Sequence, residues 1–491
     1  MCIRDSLGST PSISMVGSPS TIHSASCHPA PPAAVIPKLC PSLIQKFFNP
    51  QAGPTIDMLG VEPRRYGNYV TKSYLKAKNE EAYSHVFITH YPDEERPAAR
   101  PLRTSPCYER MKNLGAVFGQ KFGWERPNFF ATDGMEQKDD WSFRRSKWFD
   151  AIKKECENVK ENVGLLDMTA FAKCRIRGPK AEEFLDYLVA NKLPKKIGRI
   201  NLCHALNTKG GVHSEFTIMK EAENKYYLVS AGANLRLDHD WIQKWMPTDG
   251  SVIFEDLTNS TGVLVVAGPK ARELMQKVST DDFSSENFKW LTAKNVNVGY
   301  APVNAMRVNF VGELGWELHH PIEYQNHIFD KLMEAGKNLG IKPFGIRAMN
   351  SLRLEKSYKL VGTELSIEYS PYESGLDRFI HPNKGNFIGL EALNKWREKG
   401  FDNKLVTLEV HNTTDSDVLG NNPIYKDDKV VGRATSGEYG FRLDKSIALA
   451  MVKPNLANVG EKLKVDILGK MYEATILEEG PYDVENKLLR A

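Results

Sequence analysis

The feature that most constrains the fold of this chain is an internal repeat. The phrase Gly-Pro-Lys-Ala stands at 178–181, after a short apolar stretch, and again at 268–271. A helical pattern with one apolar face follows each copy, and a glycine-centred hairpin follows each helix, at 207–218 and at 307–317. A repeated supersecondary unit of this kind predicts two similar halves that share one core.

Each copy predicts a β-α-β-β-α unit, and two such units make a mixed α+β domain with a pseudo-two-fold axis. Helical spacing at 148–163 and at 345–358 predicts further helices that pack on its core. From 404 onward, five stretches alternate apolar and polar residues between Asn, Asp, Gly and Pro turns. The predicted fold class is therefore α+β, with two β-α-β-β-α halves followed by a small C-terminal β-barrel.

A chain of 491 residues is too long for one hydrophobic core, and its composition divides it into four parts. Residues 1–50 are rich in Ser, Pro and Ala, so we expect a disordered or spurious lead. Their opening resembles a translated sequencing adapter, with a transit peptide as the alternative. Residues 51–145 predict a connector rich in Pro, Gly and aromatic residues, 146–395 the α+β domain, and 396–491 the barrel.

Composition argues against several classes of protein. The formal net charge is only +4 and the basic residues alternate with acids, so nucleic acid is not an expected partner. No apolar run is long enough for a membrane span. The seven cysteines form no Cys-x-x-Cys pair, which favours a reducing compartment, the cytoplasm or, as the alternative, the mitochondrial matrix. His319 and His320 point to opposite faces of one strand, and we predict no metal site.

The hairpin at 307–317 carries the chemistry that the residues themselves suggest. Glu313 lies in a predicted tight turn at 312–315, and Glu317 lies in the outgoing strand. Such carboxylates can accept paired hydrogen bonds from the N–H groups of a planar heterocycle. Glu215, in the other half, is expected near the same axis, where ligands often bind. The alternative is an exposed hairpin with ordinary surface acids.

Several short phrases follow one another in the C-terminal part of the chain: the two Gly-Pro-Lys-Ala turns, Asn-x-x-Gly-Gly at 207–211, Val-Gly-Glu-Leu-Gly-Trp-Glu at 311–317, Leu-Arg-Leu-Glu at 352–355 and Thr-Ser-Gly at 435–437. Taken in order, they resemble the aminomethyltransferase family, whose members include the tetrahydrofolate-dependent T-protein of the glycine cleavage system. The region before them contains Glu-Pro-Arg-Arg-Tyr-Gly at 62–67 and Phe-Gly-Trp-Glu-Arg-Pro-Asn at 122–128, and it resembles the middle segment of dimethylglycine and sarcosine dehydrogenases.

The resemblance implies a fragment of a larger enzyme. Dehydrogenases of this kind carry an N-terminal FAD domain, yet no Gly-x-Gly-x-x-Gly that opens a βαβ unit occurs in the sequence. We therefore expect FAD only in a missing N-terminal domain that this chain contacts. The implied activity is capture by tetrahydrofolate of the iminium or formaldehyde that derives from an N-methylated amino acid, which yields methylenetetrahydrofolate.

The family pattern also implies four site residues. The catalytic acid near the folate nitrogens falls at Glu215, where relatives usually have Asp. The pterin-holding pair falls at Phe310, where the T-protein has Tyr, and at Glu317. Arg353 is expected to help position the site or the glutamate tail. The alternatives are a surface acid at Glu215, a core residue at Phe310 and a structural ion pair between Arg353 and Glu355.

Two rival functions stay open. A sulfonium demethylase of the same fold would pass a methyl group to tetrahydrofolate, but it needs no dehydrogenase-like connector. A non-catalytic folate-binding scaffold or regulator is compatible with the departures at Glu215 and Phe310. One regulatory branch of the fold carries a Lys-Gly-Cys-Tyr motif, and this chain has Lys-Gly-Asn-Phe at 384–387.

Overall fold

The computed structural model describes residues 69–491. The predicted lead at 1–50 and the phrase at 62–67 lie outside the described residues. No helix between residues 69 and 491 is long and apolar enough to cross a membrane. The helices of this part, numbered α1 to α10 in chain order, are Lys72–Ser84, Tyr108–Asn113, Trp148–Glu161, Ala181–Leu188, Leu235–Trp245, Ala271–Val278, Gln325–Ala335, Ile346–Leu354, Leu390–Lys399 and Lys487–Arg490.

The strands of the same residues are numbered β1 to β19. They are Ala116–Lys121, Trp124–Phe130, Val163–Asp167, Ala172–Arg177, Ile200–Leu206, Val212–Ala222, Lys225–Ser230, Ile253–Asp256, Thr261–Ala267, Ala293–Val298, Ala301–Met306, Gly315–Pro321, Ile341–Pro343, Lys404–Val410, Pro423–Lys426, Lys429–Gly440, Lys445–Val452, Lys462–Ile467 and Lys470–Leu477.

Two sheets with matching strand orders form the α+β domain. The first has the order β5-β6-β7-β4-β8 and the second β10-β11-β12-β9-β3-β13. In each sheet the strand that leads into the Gly-Pro-Lys-Ala turn, β4 or β9, pairs antiparallel with the last strand of a three-stranded run. The strands β8, β3 and β13 extend the two sheets at one edge. The predicted repeat and the α+β class are confirmed.

The repeated Gly-Pro-Lys-Ala turn has the same physical requirement in both copies. Gly178 and Gly268 have φ values of +124° and +134°, a region that residues with a side chain rarely adopt. A Cβ atom on Gly178 would lie 2.4 Å from the Ser251 carbonyl oxygen, and one on Gly268 would lie 2.5 Å from that of Asn162. Only glycine therefore lets the chain pass directly from strand to helix at these two points.

Each half has one strand more than the predicted β-α-β-β-α unit, because three strands follow the first helix. The turn at 207–211 joins the first two strands of its run, whereas residues 307–314 join the last two. The two hairpins that the sequence suggested as a pair are therefore not equivalent. In the second half the extra strand is β10, which reads Ala-Lys-Asn-Val-Asn-Val and has too few apolar residues to give a clear strand pattern.

The two sheets pack face to face, with helices on their outer sides. The outer face of the first sheet, with Phe216 and Ile218, packs against α4 and α5. The outer face of the second, with Trp316 and Leu318, packs against α6 and α7. Between the sheets lies a separate apolar cluster, the inter-sheet layer, formed by Ile200, Met219, Tyr227, Val229, Ala293 and Met306. Because side chains alternate along a strand, the neighbours of the outward residues point into this layer.

Residues 69–145 of the connector contain a strand hairpin that is fixed to the α+β domain. The strands β1 and β2 pair as a hairpin, although composition suggested a linker. A buried carboxylate on α3 ties this hairpin to α8: Glu155 accepts hydrogen bonds from the backbone N–H of Phe130 at 2.6 Å and of Gly345 at 2.7 Å. Burial raises the pKa of Glu155 to about 8.

The C-terminal part is a closed barrel with the order β14-β17-β16-β15-β18-β19. This confirms the predicted barrel, with six strands where the sequence pattern indicated five. The strand that was missed, β15, has four residues and begins with a proline, so its pattern is too short to recognise. An apolar cluster that includes Leu408, Ala450 and Val465 fills the barrel.

Candidate functional site

Glu317 points into the inter-sheet layer. Its strand, β12, alternates between the outward residues Trp316 and Leu318 and the inward residues Glu317 and His319. Glu317 pairs with Met306 of β11 on one side and with Val265 of β9 on the other, and only 8% of it is exposed. A carboxylate in a central strand of this kind needs polar partners.

The partner of Glu317 reaches across to the other half of the domain. His319 Nε2 lies 3.2 Å from Glu317 Oε2, and His319 Nδ1 lies 3.0 Å from the hydroxyl of Tyr227 on β7. Burial lowers the pKa of His319, although Glu317 acts in the opposite direction. The hydrogen-bonded series from Glu317 through His319 to Tyr227 therefore connects the two sheets across the inter-sheet layer.

Glu215 points into the same layer from the first sheet. Its neighbours on β6, Phe216 and Ile218, face the helices, so Glu215 and Met219 face the other sheet. Its Oε2 lies 2.9 Å from the Nε2 of His204, directly opposite on β5, and its side chain is 22% exposed. The two predicted acids thus lie on sheet faces that pack against each other.

His204, the partner of Glu215, was not predicted from the sequence. The ring is fully buried, and its Nδ1 has no hydrogen-bond partner among the described residues. The signal was present in the sequence, since 204 and 215 flank the Asn-x-x-Gly-Gly turn at positions that face each other in a hairpin. A bulge next to Leu206 shifts the register by one residue, however, so counting outward from the turn gives the wrong pair.

Both acids keep an acceptor for a ligand. Within residues 69–491, Glu317 Oε1 and Glu215 Oε1 contact no hydrogen-bond donor, whereas the Oε2 atom of each is bonded to a histidine. A pterin presents N–H donors that a carboxylate oxygen can accept, so these residues fit a folate ligand.

The loop 307–314, which precedes Glu317, differs from the predicted tight turn at 312–315. The strand β11 ends at Met306, so eight residues cross from β11 to β12. Asn309 shapes this loop: its Oδ1 accepts from the backbone N–H of Val311 at 3.0 Å and of Gly312 at 3.1 Å, and its Nδ2 donates to the Glu313 carbonyl oxygen at 2.8 Å. The alternation at 307–311 is typical of a strand. In the structure, however, the Asn309 side chain makes hydrogen bonds that a neighbouring strand would otherwise make, and a loop forms instead.

Phe310 lies in this loop and is half-buried. Its ring centroid is 5.6 Å from that of Tyr358, and it packs on the cluster that contains Val311 and Phe344. Burial raises the pKa of Tyr358 to about 12, so its hydroxyl stays protonated at neutral pH. Contact between Phe310 and a pterin stays a prediction.

Arg353, on α8, is 1% exposed, and its guanidinium is hydrogen-bonded inside the fold. The guanidinium donates to Glu364 Oε2 at 3.2 Å, to the Tyr358 carbonyl oxygen at 2.9 Å and to Asn350 Oδ1 at 3.0 Å. The structural ion pair suggested from the sequence therefore exists with a different partner: Glu364 pairs with Arg353, and Glu355 pairs with Arg442. Contact between Arg353 and folate stays a prediction.

Burial acts to raise the pKa of Glu364, but Arg353 and the hydroxyls of Ser436 and Thr435 reverse this effect and lower it. Ser436 Oγ and Thr435 Oγ1 donate to Glu364 Oε1 at 2.5 and 2.7 Å. Both belong to the barrel strand β16, so the Thr-Ser-Gly phrase at 435–437 connects the barrel to the Arg353–Glu364 ion pair of the α+β domain.

The fold is a two-sheet domain with a barrel attached. Two acids, each hydrogen-bonded to a histidine, form a polar site between the two sheets. Three family profiles match this chain in order. The FAD dependent oxidoreductase central domain matches residues 53–105, the GCVT N-terminal domain matches 107–384, and the glycine cleavage T-protein C-terminal barrel domain matches 403–483. The chain belongs to the glycine cleavage T-protein (aminomethyltransferase) family.

Two relatives show the extent of the similarity. Mitochondrial dimethylglycine dehydrogenase of Mus musculus is 38% identical over 429 residues, which cover 87% of this chain and 49% of that protein. The aminomethyltransferase of Caldanaerobacter subterraneus subsp. tengcongensis is 31% identical over 391 residues, which cover 78% of this chain and 96% of that protein. The chain thus spans about half the length of its dimethylglycine dehydrogenase relatives.

A solved structure shows the same fold. The glycine cleavage system aminomethyltransferase T from Bartonella henselae superposes with a TM-score of 0.68 at 21% identity, covering 78% of this chain and 98% of that one.

Proposed function

We propose that this chain is a tetrahydrofolate-dependent one-carbon transfer module, which takes up an N-methyl-derived iminium or formaldehyde as methylenetetrahydrofolate. The observation that carries the proposal is the position of Glu215 and Glu317 on facing surfaces of the two sheets, in a member of the aminomethyltransferase family. When bound, tetrahydrofolate supplies the nucleophilic nitrogens that accept the one-carbon unit.

Glu317 is the proposed pterin anchor. Its Oε2 is already bonded to His319, and its Oε1 is available to accept a hydrogen bond from the ligand. A carboxylate held in a central strand and braced by a histidine needs no rearrangement when a ligand binds, which favours affinity. Phe310 is proposed to pack against the pterin ring, and Arg353 to position this part of the site from behind through Tyr358.

Glu215 is the proposed catalytic acid-base residue. A carboxylate beside the attacking amine can take the proton that the nitrogen loses and can favour the positive iminium electrostatically. His204 holds the Oε2 of Glu215 in place, so the Oε1 is the atom that handles the proton. The partial exposure of Glu215 gives the proton a route to solvent.

The larger enzyme that we propose is an FAD-dependent dehydrogenase of N-methylated amino acids. The match of residues 53–105 to an FAD oxidoreductase central domain and the similarity to dimethylglycine dehydrogenase support it. We propose that a flavin domain contacts the connector and that FAD belongs to that domain. The mitochondrial relatives favour the matrix over the cytoplasm as the compartment. The division at 51–145, 146–395 and 396–491 is kept as part of this proposal.

The rival functions predict different results. A sulfonium demethylase would form methyltetrahydrofolate, and a folate-binding scaffold or regulator would bind tetrahydrofolate without turnover. The oxidoreductase segment at 53–105 favours the dehydrogenase over the demethylase.

The test is the rate at which the chain forms methylenetetrahydrofolate from tetrahydrofolate and formaldehyde with a secondary amine. We expect the chain to exceed the uncatalysed rate. We expect Glu215→Gln to reduce this rate enhancement by roughly a hundredfold, because Gln cannot take the proton. Glu223→Gln, at an exposed acid just beyond the same strand, is the control and should match the unchanged chain. A chain no faster than buffer, or a fully active Glu215→Gln variant, would contradict the proposal.

A further inference from the structure

The ends of the loop 307–314 are hydrogen-bonded to backbone groups beside neighbouring strands, but its middle is held from outside its own sheet. Between Met306 and Gly315 it makes no strand pairing, and Asn309 supplies most of its internal bonds. Gly312, at φ +77°, lies against the side chain of Lys356, since a Cβ there would be 2.4 Å from Lys356 Cγ. The position of Phe310 therefore depends on groups that contact this loop from other parts of the molecule.

The main external contact is a buried arginine from the barrel. Arg442 follows β16 and is 7% exposed. Its Nη1 donates to the Val311 carbonyl oxygen at 3.0 Å and to Glu313 Oε1 at 2.7 Å. Its Nη2 donates to the Leu352 carbonyl oxygen on α8 at 2.6 Å, and its Nε donates to Glu355. One guanidinium thus binds the loop, α8 and the barrel together.

A second residue, Tyr482, adds a neutral hydrogen-bond donor to the carboxylate that Arg442 contacts. Burial raises the pKa of both Glu313 and Glu355, while Arg442 acts to lower it. One guanidinium cannot neutralise two buried carboxylates. The hydroxyl of Tyr482 donates to Glu313 Oε1 at 2.8 Å, and its ring lies 3.9 Å from the guanidinium carbon of Arg442. Glu313 therefore accepts hydrogen bonds from two side chains, Arg442 and Tyr482, which both lie outside the α+β domain.

Tyr482 itself is fixed by the end of α8. Its backbone N–H donates to the Glu355 carbonyl oxygen at 3.0 Å, and its own carbonyl oxygen accepts from Lys356 Nζ at 2.8 Å. Just before it, the backbone N–H of Gly480 donates to Ser357 Oγ at 2.8 Å. Residues 480–482 therefore pack on residues 355–357. These hydrogen bonds fix the backbone of Tyr482, whose hydroxyl contacts Glu313.

We infer that Arg442 and Tyr482 are positioning residues of the folate site, which set the place of Phe310 by clamping Val311 and Glu313 to the barrel. This inference rests on the proposed function, and it assigns Glu313 to the clamp. Its consequence is that folate affinity depends on a hydroxyl and a guanidinium that do not touch the ligand. The barrel then contributes to the site without lining it.

The test compares two single-atom changes on aromatic rings. Tyr482→Phe removes the hydrogen bond to Glu313 and keeps the ring under Arg442. Tyr439→Phe, on the same barrel, removes a hydroxyl that donates to Asp444 at 2.5 Å and does not contact the loop. Both variants and Arg442→Lys, which keeps the charge but loses the forked contact to Val311 and Leu352, are titrated with tetrahydrofolate by calorimetry alongside their melting curves.

We expect Tyr482→Phe to raise the Kd for tetrahydrofolate about tenfold, and Arg442→Lys to raise it further, while Tyr439→Phe leaves it unchanged. Tyr482→Phe and Tyr439→Phe should melt at similar temperatures, so loss of fold cannot explain the difference. If the unchanged chain binds tetrahydrofolate and Tyr482→Phe binds it equally well, the clamp has no role in the site, although the proposed function stands. An unchanged chain that does not bind tetrahydrofolate overturns both.

Discussion

At the scale of single residues, the candidate site consists of two acids that are each hydrogen-bonded to a buried histidine. Glu215 and Glu317 were predicted as site residues from the family phrases, and their role stays a prediction. The His204 partner of Glu215 was not predicted because a bulge shifts the hairpin register, and the contact of His319 with Tyr227 was not predicted because it joins two sheets. Pairings across sheets arise from tertiary packing, which local periodicity does not encode.

A buried acid on the outer side of the first sheet gives a pH prediction. Asp238 on α5 is 1% exposed and accepts hydrogen bonds from the hydroxyls of Ser214 and Ser230. Burial raises its pKa to about 7, above the unfolded value of about 4. The folded state therefore holds this proton more tightly, so the contribution to stability is complete below about pH 4 and is lost as the pH rises through about 7.

We expect Asp238→Asn to remove this dependence. Between pH 5 and pH 8, the free energy of unfolding of the unchanged chain should fall by on the order of 3 kcal/mol more than that of the variant. Urea unfolding at the two pH values measures the difference. Asp240→Asn, two residues further along the helix and partly exposed, is the control. Equal pH dependence in Asp238→Asn and the unchanged chain would contradict the assignment.

At the scale of elements, the sequence predicted the helices well and the strands unevenly. The helices around 148–163 and 345–358 were found because their apolar faces recur at helical spacing, and the structure ends them at 161 and 354. The strands β10 and β15 were missed, one for its polar content and one for its length. The prediction of a tight hairpin at 307–314 was wrong. The alternation implied hydrogen bonds between strands, but in the structure the Asn309 side chain bonds the loop backbone instead.

The Gly-Pro-Lys-Ala turns give a prediction at this scale. Gly178→Ala places a methyl group 2.4 Å from the Ser251 carbonyl oxygen at a φ of +124°, so we expect it to destabilise the fold by roughly 2–3 kcal/mol. Gly250→Ala is a matched control, because Gly250 also has a positive φ, +78°, but has no atom within 4 Å of the new Cβ; it should lose about 1 kcal/mol. Chemical denaturation measures both, and equal losses would show that the close contact is irrelevant.

At the scale of the whole molecule, three buried carboxylates join the parts of the chain. Glu155 ties the connector to α8, Glu364 ties α8 to β16 through Arg353, and Glu355 ties α8 to the barrel through Arg442. The helix α8 is therefore the common support of connector, α+β domain and barrel. The Leu-Arg-Leu-Glu phrase on this helix was evident in the sequence, where its two charges suggested an ion pair with each other. Buried ion pairs between domains cannot be assigned before the domains are placed.

The central claim is that the inter-sheet layer holds tetrahydrofolate through Glu317, and a calorimetric titration tests it most directly. Removing a hydrogen bond to a charged acceptor weakens binding by about 1.5–3 kcal/mol. We therefore predict that Glu317→Gln raises the Kd at least tenfold with the melting temperature nearly unchanged, whereas Glu323→Gln, at an exposed acid just beyond β12, does not. Equal tetrahydrofolate affinity in Glu317→Gln and the unchanged chain would contradict the account.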